Sequence, residues 1–169
     1  MSVKLFHYLF VFFASTMAIS QMIRYTRLPI TLYRIQGRLP VRLRDYETQM
    51  EKGRTSFDLK LHDGKVLPME GLTFHTPNGM SLRPGNDKMR EVLENFKGDP
   101  TVYRMHEGME LPKEFVVFHE HTDHYSMQTT EPIDLDSLND KLTEFLKTLP
   151  SQTKQQFIEQ YDDIDDQDS

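Results

Sequence analysis

A dense polar cluster between two extended segments, within residues 114–133, constrains this chain more than any other feature. Four strong strand formers in a row occupy residues 115–118, and a second extended run occupies residues 125–130. The six residues between these runs include three histidines and two carboxylates. The pattern predicts a β-hairpin whose tip carries the densest chemistry of the chain.

The histidines of this tip suggest a metal site. The spacing His-x-His-x-Asp-His is typical of two-metal hydrolases of the metallo-β-lactamase type, but those enzymes need further histidines downstream, and none follows His124. A smaller site that uses His119, His121 and His124 is an alternative, because period-two alternation places His119 and His121 on one strand face. Since Glu120 and Asp123 would then diverge from them, we expect a solvated tip, no metal ligands, and a domain that folds without metal.

Composition narrows the function classes. The chain has 169 residues, which suits one domain with tails, and its net charge of −6 argues against nucleic-acid binding. It contains no cysteine, which excludes disulfides, thiolate zinc sites and cysteine nucleophiles.

Residues 1–21 have the layout of a targeting segment. Lys4 precedes an apolar run, and Ala18 and Ser20 form a small-x-small ending. We expect a signal peptide, with an organelle transit peptide or an appended extension before Met22 as alternatives. The protein would then be secreted or organelle-targeted, and otherwise cytoplasmic. The run is too short for a comfortable membrane span, so none is expected in the mature protein.

The rest of the chain predicts an α+β fold with mixed or antiparallel sheets, because strands and helices do not alternate strictly. The predicted strands are residues 30–35, 71–75, 80–83, 101–105 and the two arms of the hairpin. One helix should begin near Asn86 or Asp87 and end before Gly98, and a last one should span about 136–149. Residues 151–169 are poor in apolar side chains, and we expect a disordered acidic tail.

Three separated segments, in order, resemble one family. They are residues 31–34 (Thr-Leu-Tyr-Arg), residues 71–81 with their Pro-Asn-Gly-Met-Ser ending, and residues 111–127 with their His-Tyr-Ser-Met ending. These segments are similar to the type VI secretion exported effector two toxins, whose fold resembles the mono-ADP-ribosyltransferases. The resemblance spans about residues 28–150, which would be the toxin domain.

The resemblance implies a fold and an activity. Mixed or antiparallel sheets would surround an NAD cleft, with helices at the periphery. The protein would be a toxin-like mono-ADP-ribosyltransferase or another NAD-consuming enzyme. Its partners would be NAD as substrate, an acceptor of unknown identity, and an immunity or antitoxin protein.

The resemblance also implies roles for particular residues. Arg34 would hold the pyrophosphate of NAD, Ser81 would shape the nicotinamide pocket, and Asn78 and Gly79 would let the backbone approach the ligand. The catalytic residues of the late strand would be His124, Tyr125 and Gln128, acting with Ser81. By period-two counting His124 and Gln128 share a strand face, whereas Tyr125 points to the other face.

The chain departs from the family pattern on the late strand. Most active ADP-ribosyltransferases have a glutamate on the late strand, and here Gln128 or Met127 stands nearest that position. A neutral amide cannot neutralise a developing cation as a carboxylate does. Glu120 and Asp123 are the nearest carboxylates, and either would need a hairpin that folds it back into the cleft. A catalytically inactive ADP-ribosyltransferase-like interaction module is therefore the alternative.

Overall fold

The structure is a computed structural model that describes the backbone of residues 22–165 and the side chains up to residue 161. Residues 1–21, and with them the expected targeting segment, lie outside the described part. No helix within residues 22–165 is both long and apolar enough to cross a membrane.

The strands, in chain order, are β1 (Ile23–Tyr25), β2 (Leu32–Gln36), β3 (Lys65–Val66), β4 (Met80–Leu82), β5 (Thr101–Met105), β6 (Phe115–His121), β7 (His124–Thr129), β8 (Ile133–Asp134) and β9 (Ser151–Thr153). The helices are α1 (Tyr46–Glu51), α2 (Asp87–Glu94), α3 (Leu135–Lys147) and α4 (Lys154–Asp165). All pairings between these strands are antiparallel. The expectation of an α+β fold with antiparallel sheets is confirmed.

The hairpin of β6 and β7 forms the centre of a four-stranded sheet in the order β1-β6-β7-β4. Its residues 115–118 are all buried, as expected for a continuous run of strand formers covered on both faces. One face packs into the main core, where the ring of Phe115 lies 5.7 Å from that of Phe145 on α3. The opposite face carries Ser126 of β7, with Ser81 of β4 directly beside it.

A three-stranded sheet in the order β2-β5-β9 lies against the edge of the first sheet. The two sheets are joined through Tyr33 and Arg83, whose backbone amides each donate to the carbonyl of the other, at 2.7 and 3.0 Å. This junction places the next residue of β2, Arg34, beside β4. The cleft described below opens there.

The last part of the chain differs from the expected disordered tail. Residues 151–153 form β9, which pairs with β5, and residues 154–165 form α4. Phe157 is only 4% exposed and packs with Met89, Leu93 and Val102. The low average apolar content of residues 151–169 does not predict this helix. One apolar stripe that contains Phe157 is enough to pack α4 against α2 and β5. Residues 166–169 lie outside the described part.

The strand expected at residues 71–75 is replaced by a short 3-10 turn, Gly71–Thr73. Gly71 has a positive φ of 54°, and the side-chain hydroxyl of Thr73 donates to the carbonyl of Glu70 at 2.8 Å. Leu72 is 79% exposed there. Local hydrogen bonds thus override the strand propensity of this segment.

Candidate functional site

A cavity of about 590 Å³ opens at the junction of β2 and β4. Four arginines contribute to its lining: Arg34, Arg42, Arg44 and Arg83. Apolar side chains form another part of the wall: Tyr33, Ile35, Leu82, Met89, Val92 and Phe96. Ser81 and His124 complete the polar part together with Ser56 and Asp58. We call this cavity the arginine cleft.

Arg34 projects from β2 into the arginine cleft with neutral hydrogen-bond partners. Its Nε donates to Gln36 Oε1 at 3.1 Å and its Nη1 donates to the carbonyl oxygen of Ser81 at 3.1 Å. Burial lowers the pKa of Arg34 to about 10, with nearby Asp58 raising it and Arg44 lowering it. The guanidinium is therefore still charged at neutral pH, and no carboxylate contacts it among the described residues.

Asp58 is the carboxylate of this cleft, and it is occupied by Arg44. Nε and Nη2 of Arg44 donate to the two carboxylate oxygens, each at 2.8 Å. The hydrogen bonds that Arg44 donates to Asp58 raise the pKa of Arg44 against the opposing effect of burial. Arg44 thus engages both oxygens of the Asp58 carboxylate. Arg34 and the exposed Arg42 contact no carboxylate within the described chain.

Arg83 connects the arginine cleft to the tip of the hairpin. Its Nη1 donates to Asp123 Oδ1 at 2.8 Å, and Asn86 Nδ2 approaches the other oxygen at 3.5 Å. Burial opposes the ionised form of Asp123, but the charge and the hydrogen bonds of these partners outweigh it and lower the pKa of Asp123. The tip is thereby held against the loop that precedes α2.

His124 lines the cleft at the start of β7, and Glu120 lies behind it. His124 Nδ1 is 2.6 Å from Glu120 Oε2, and the Glu120 side chain is only 1% exposed. A β-bulge between His119 and His121 makes this contact possible by shifting the register of β6 at its end. The bulge brings a carboxylate toward the cleft, although Glu120 itself does not line it.

Gln128 and Asn78 lie in the packed interior and do not line the arginine cleft. Asn78 Nδ2 donates to Gln128 Oε1 at 2.8 Å and to the carbonyl of Leu67 at 3.0 Å. The amide of Met69 also donates to Gln128 Oε1 at 3.2 Å. These hydrogen bonds hold residues 67–69 against the sheet, so Asn78 and Gln128 stabilise the fold.

Gly79 approaches the backbone of β7 and not the cleft. A Cβ at this position would lie 2.2 Å from the carbonyl oxygen of Met127. Its amide donates to the carbonyl of Asp58 at 2.9 Å. The glycine therefore lets β4 and the segment that carries Asp58 approach closely, and this positions the cleft wall indirectly.

Tyr125 points to the opposite face of the sheet, as the period-two count predicts. It is buried in the main core, and its ring stacks on that of His119 with centroids 4.4 Å apart. Burial raises the pKa of its hydroxyl, and Tyr25 adds to the shift. Of the predicted site residues, the structure brings Arg34, Ser81 and His124 together in one cleft, and it leaves Tyr125, Gln128, Asn78 and Gly79 outside it.

The sequence interpretation missed several contributors to the cleft. Arg42 and Arg44 alternate in an extended segment, and this pattern is a usable signal that both side chains point the same way. Asp58 lies in a weakly periodic region, where no local pattern marks it. The pairing of Glu120 with His124 depends on the bulge, which alternation does not predict.

A family model described as Tse2 ADP-ribosyltransferase toxin matches residues 30–157. No curated protein and no solved structure matches the chain significantly. The matched range contains Arg34, Ser81 and His124, and it extends past residue 150 to include Phe157 of α4. The match covers most of the chain, which therefore belongs to the Tse2 ADP-ribosyltransferase toxin family.

Proposed function

We propose that the protein binds NAD in the arginine cleft and transfers its ADP-ribose to an acceptor. The observation that carries this proposal is the convergence of Arg34, Ser81 and His124, from three different strands, on one concave cavity. The family membership supports the same reaction class. Each further step rests on the contacts of these side chains.

The electrostatics of the cleft favour a dianionic ligand. Burial desolvates Arg34, and its hydrogen bonds go only to neutral oxygens. A phosphate oxygen could therefore accept from its remaining N–H groups. Arg42 lies in the same lining and makes no ion pair within the described residues. Two unpaired guanidinium groups at one wall suit a pyrophosphate, because each can donate two parallel hydrogen bonds to it.

The shape of the cleft suits a dinucleotide. Its volume of about 590 Å³ falls within the range of roughly 300–1,000 Å³ that is usual for small-molecule sites. The rings of Tyr33 and Phe96 and the side chains of Met89 and Val92 line the same cavity as the arginines. These apolar surfaces would take the flat bases of NAD, while the arginines hold the phosphates between them.

His124 and Glu120 provide the acid–base chemistry of the proposal. The short contact between Nδ1 and the carboxylate requires a proton between them, and with that proton on Nδ1 the neutral ring presents Nε2 as an acceptor. The bond between C1′ of the ribose and nicotinamide breaks, and nicotinamide leaves with the electron pair. An acceptor nucleophile then bonds to C1′, and its proton passes to Nε2. The negative charge of Glu120 stabilises both the positive ribose and the protonated imidazole.

The first test is a calorimetric titration of the full chain with NAD, combined with chromatographic measurement of released nicotinamide. Wild type should bind NAD and release nicotinamide, with water as the nucleophile at C1′ because no other acceptor is supplied. Ser81→Ala should weaken binding about fivefold, since a neutral hydrogen bond contributes about 1 kcal/mol. The backbone carbonyl that braces Arg34 is kept in this variant.

Ser126→Ala is the matched control, because Ser126 faces Ser81 on the neighbouring strand but lies outside the cleft lining. Its NAD affinity should equal that of wild type. Absence of any binding heat and of any released nicotinamide in wild type would refute the proposal. Binding without nicotinamide release would instead favour the inactive interaction module.

A further inference from the structure

The tip of the hairpin brings three metal-ligating side chains together, in a combination that strand alternation does not predict. Glu120, His121 and His124 each offer one ligand atom, and these atoms all lie within 4.8 Å of one another. His119, which alternation groups with His121, instead stacks on Tyr125 on the other side of the sheet. Because of the bulge between His119 and His121, Glu120 and not His119 lies beside His121 and His124.

The register explains why the two imidazoles meet. His121 and His124 are directly opposite each other across the final pair of the hairpin, and side chains at such positions share a face. Their rings stack with centroids 5.3 Å apart and an interplanar angle of 22°. His121 is exposed, so its ring can rotate toward the other two ligands at little cost.

A second observation at Glu120 points to a cation as a ligand. Its side chain is 1% exposed, and Oε2 contacts His124 Nδ1, but the other carboxylate oxygen, Oε1, has no hydrogen-bond partner among the described residues. A buried carboxylate oxygen without a partner is costly, and bound metal is one of the ways in which proteins satisfy it. Arg83, the nearby cation, is engaged by Asp123.

We infer that Glu120, His121 and His124 form a binding site for a divalent transition metal, with Zn²⁺ as the best match. Two imidazoles and one carboxylate, with a fourth position open to solvent, are a typical zinc donor set. Zinc bonds of about 2.0–2.2 Å place tetrahedral ligand atoms about 3.3 Å apart, so the present cluster needs to contract by about 1.5 Å at most. Rotation of the exposed His121 ring supplies that movement.

The inference concerns binding and not folding. The trio lies at the end of one hairpin, whereas the main core beneath it is filled by apolar side chains such as Met127 and Leu142. The chain should therefore fold without the metal and take it up afterwards. The test requires neither NAD nor activity, so its outcome is read separately from that of the NAD proposal. Bound zinc would exclude the acid–base role of His124, because both need the same ring and the Glu120 carboxylate.

The test titrates the untagged full chain, freed of metal with a chelator, with Zn²⁺ in competition with a chromophoric zinc indicator. Wild type should bind one equivalent. His121→Ala should weaken binding by at least roughly tenfold, since even the loss of an outer partner of a metal ligand costs 10–100-fold. His121 is exposed, so this variant should remain folded, which circular dichroism checks.

His75→Ala is the control, because His75 is an exposed histidine far along the chain from the hairpin tip. Zinc affinity should be unchanged in this variant. Glu120→Gln should lower the affinity as His121→Ala does, and it tests the carboxylate separately. Absence of saturable zinc binding in wild type, or equal binding by wild type and His121→Ala, would overturn the inference.

Discussion

Replacing Arg34 with alanine should reduce the affinity for NAD by roughly thirtyfold. The guanidinium is the innermost unpaired charge of the arginine cleft, and hydrogen bonds to charged groups contribute about 1.5–3 kcal/mol each. A loss of about 2 kcal/mol corresponds to roughly thirtyfold in dissociation constant. Calorimetric titration with NAD measures the change directly.

Two companion variants separate charge from structure. Arg34→Lys keeps a positive charge but loses the planar fork, so it should bind NAD more weakly than wild type and more tightly than Arg34→Ala. Arg38→Ala removes an exposed arginine four residues after Arg34 that does not line the cleft. This variant should bind NAD with the affinity of wild type. If Arg34→Ala and Arg38→Ala had the same NAD affinity, the assignment of the phosphate site to Arg34 would be wrong.

Phe157→Ala should destabilise the domain by about 3–5 kcal/mol, the usual cost of removing a buried aromatic ring. The Phe157 ring packs edge-on against Tyr33, with centroids 5.1 Å apart at 82°, and it covers Met89 and Leu93 of α2. Because Tyr33 and Met89 also line the arginine cleft, the loss should loosen the cleft wall as well. Guanidinium denaturation followed by circular dichroism measures the free energy of unfolding.

Leu72→Ala is the matched control for this prediction, since Leu72 is an apolar residue that is 79% exposed. Its free energy of unfolding should stay within about 0.5 kcal/mol of wild type. A value for Phe157→Ala as small as that of Leu72→Ala would show that α4 does not contribute to the folded domain.

Patterns that act within one element could be read from the sequence. The stripe with Met89 and Leu93 predicts α2, and the capping residue Asn86 accepts from the amide of Met89 at 3.0 Å. The apolar run 115–118 predicts a strand, which is β6. Period-two alternation correctly places Tyr125 away from His124. In each of these cases neighbouring residues supply the deciding interactions.

Features that depend on distant partners could not be read in this way. A bulge brings Glu120 to His124 and separates His119 from His121. It forms where two strands pair beside a tight turn, so counting alternate residues along one strand does not predict it. The resemblance predicts a catalytic role for Gln128, but its hydrogen bonds to Asn78 and Met69 form only when residues 67–69 fold over the sheet. Helix α4 is ordered by the surface that it covers.

Hydrogen–deuterium exchange of the wild-type chain, with and without NAD, tests the location of the site most directly. We expect slower exchange in the segments that carry Arg34, Arg42 and Ser81 and at the start of β7. No change is expected in the separate apolar groove that Leu111, Phe145 and Leu149 line. Protection confined to that groove, or no protection at NAD concentrations that saturate the calorimetric titration, would contradict the assignment of NAD to the arginine cleft.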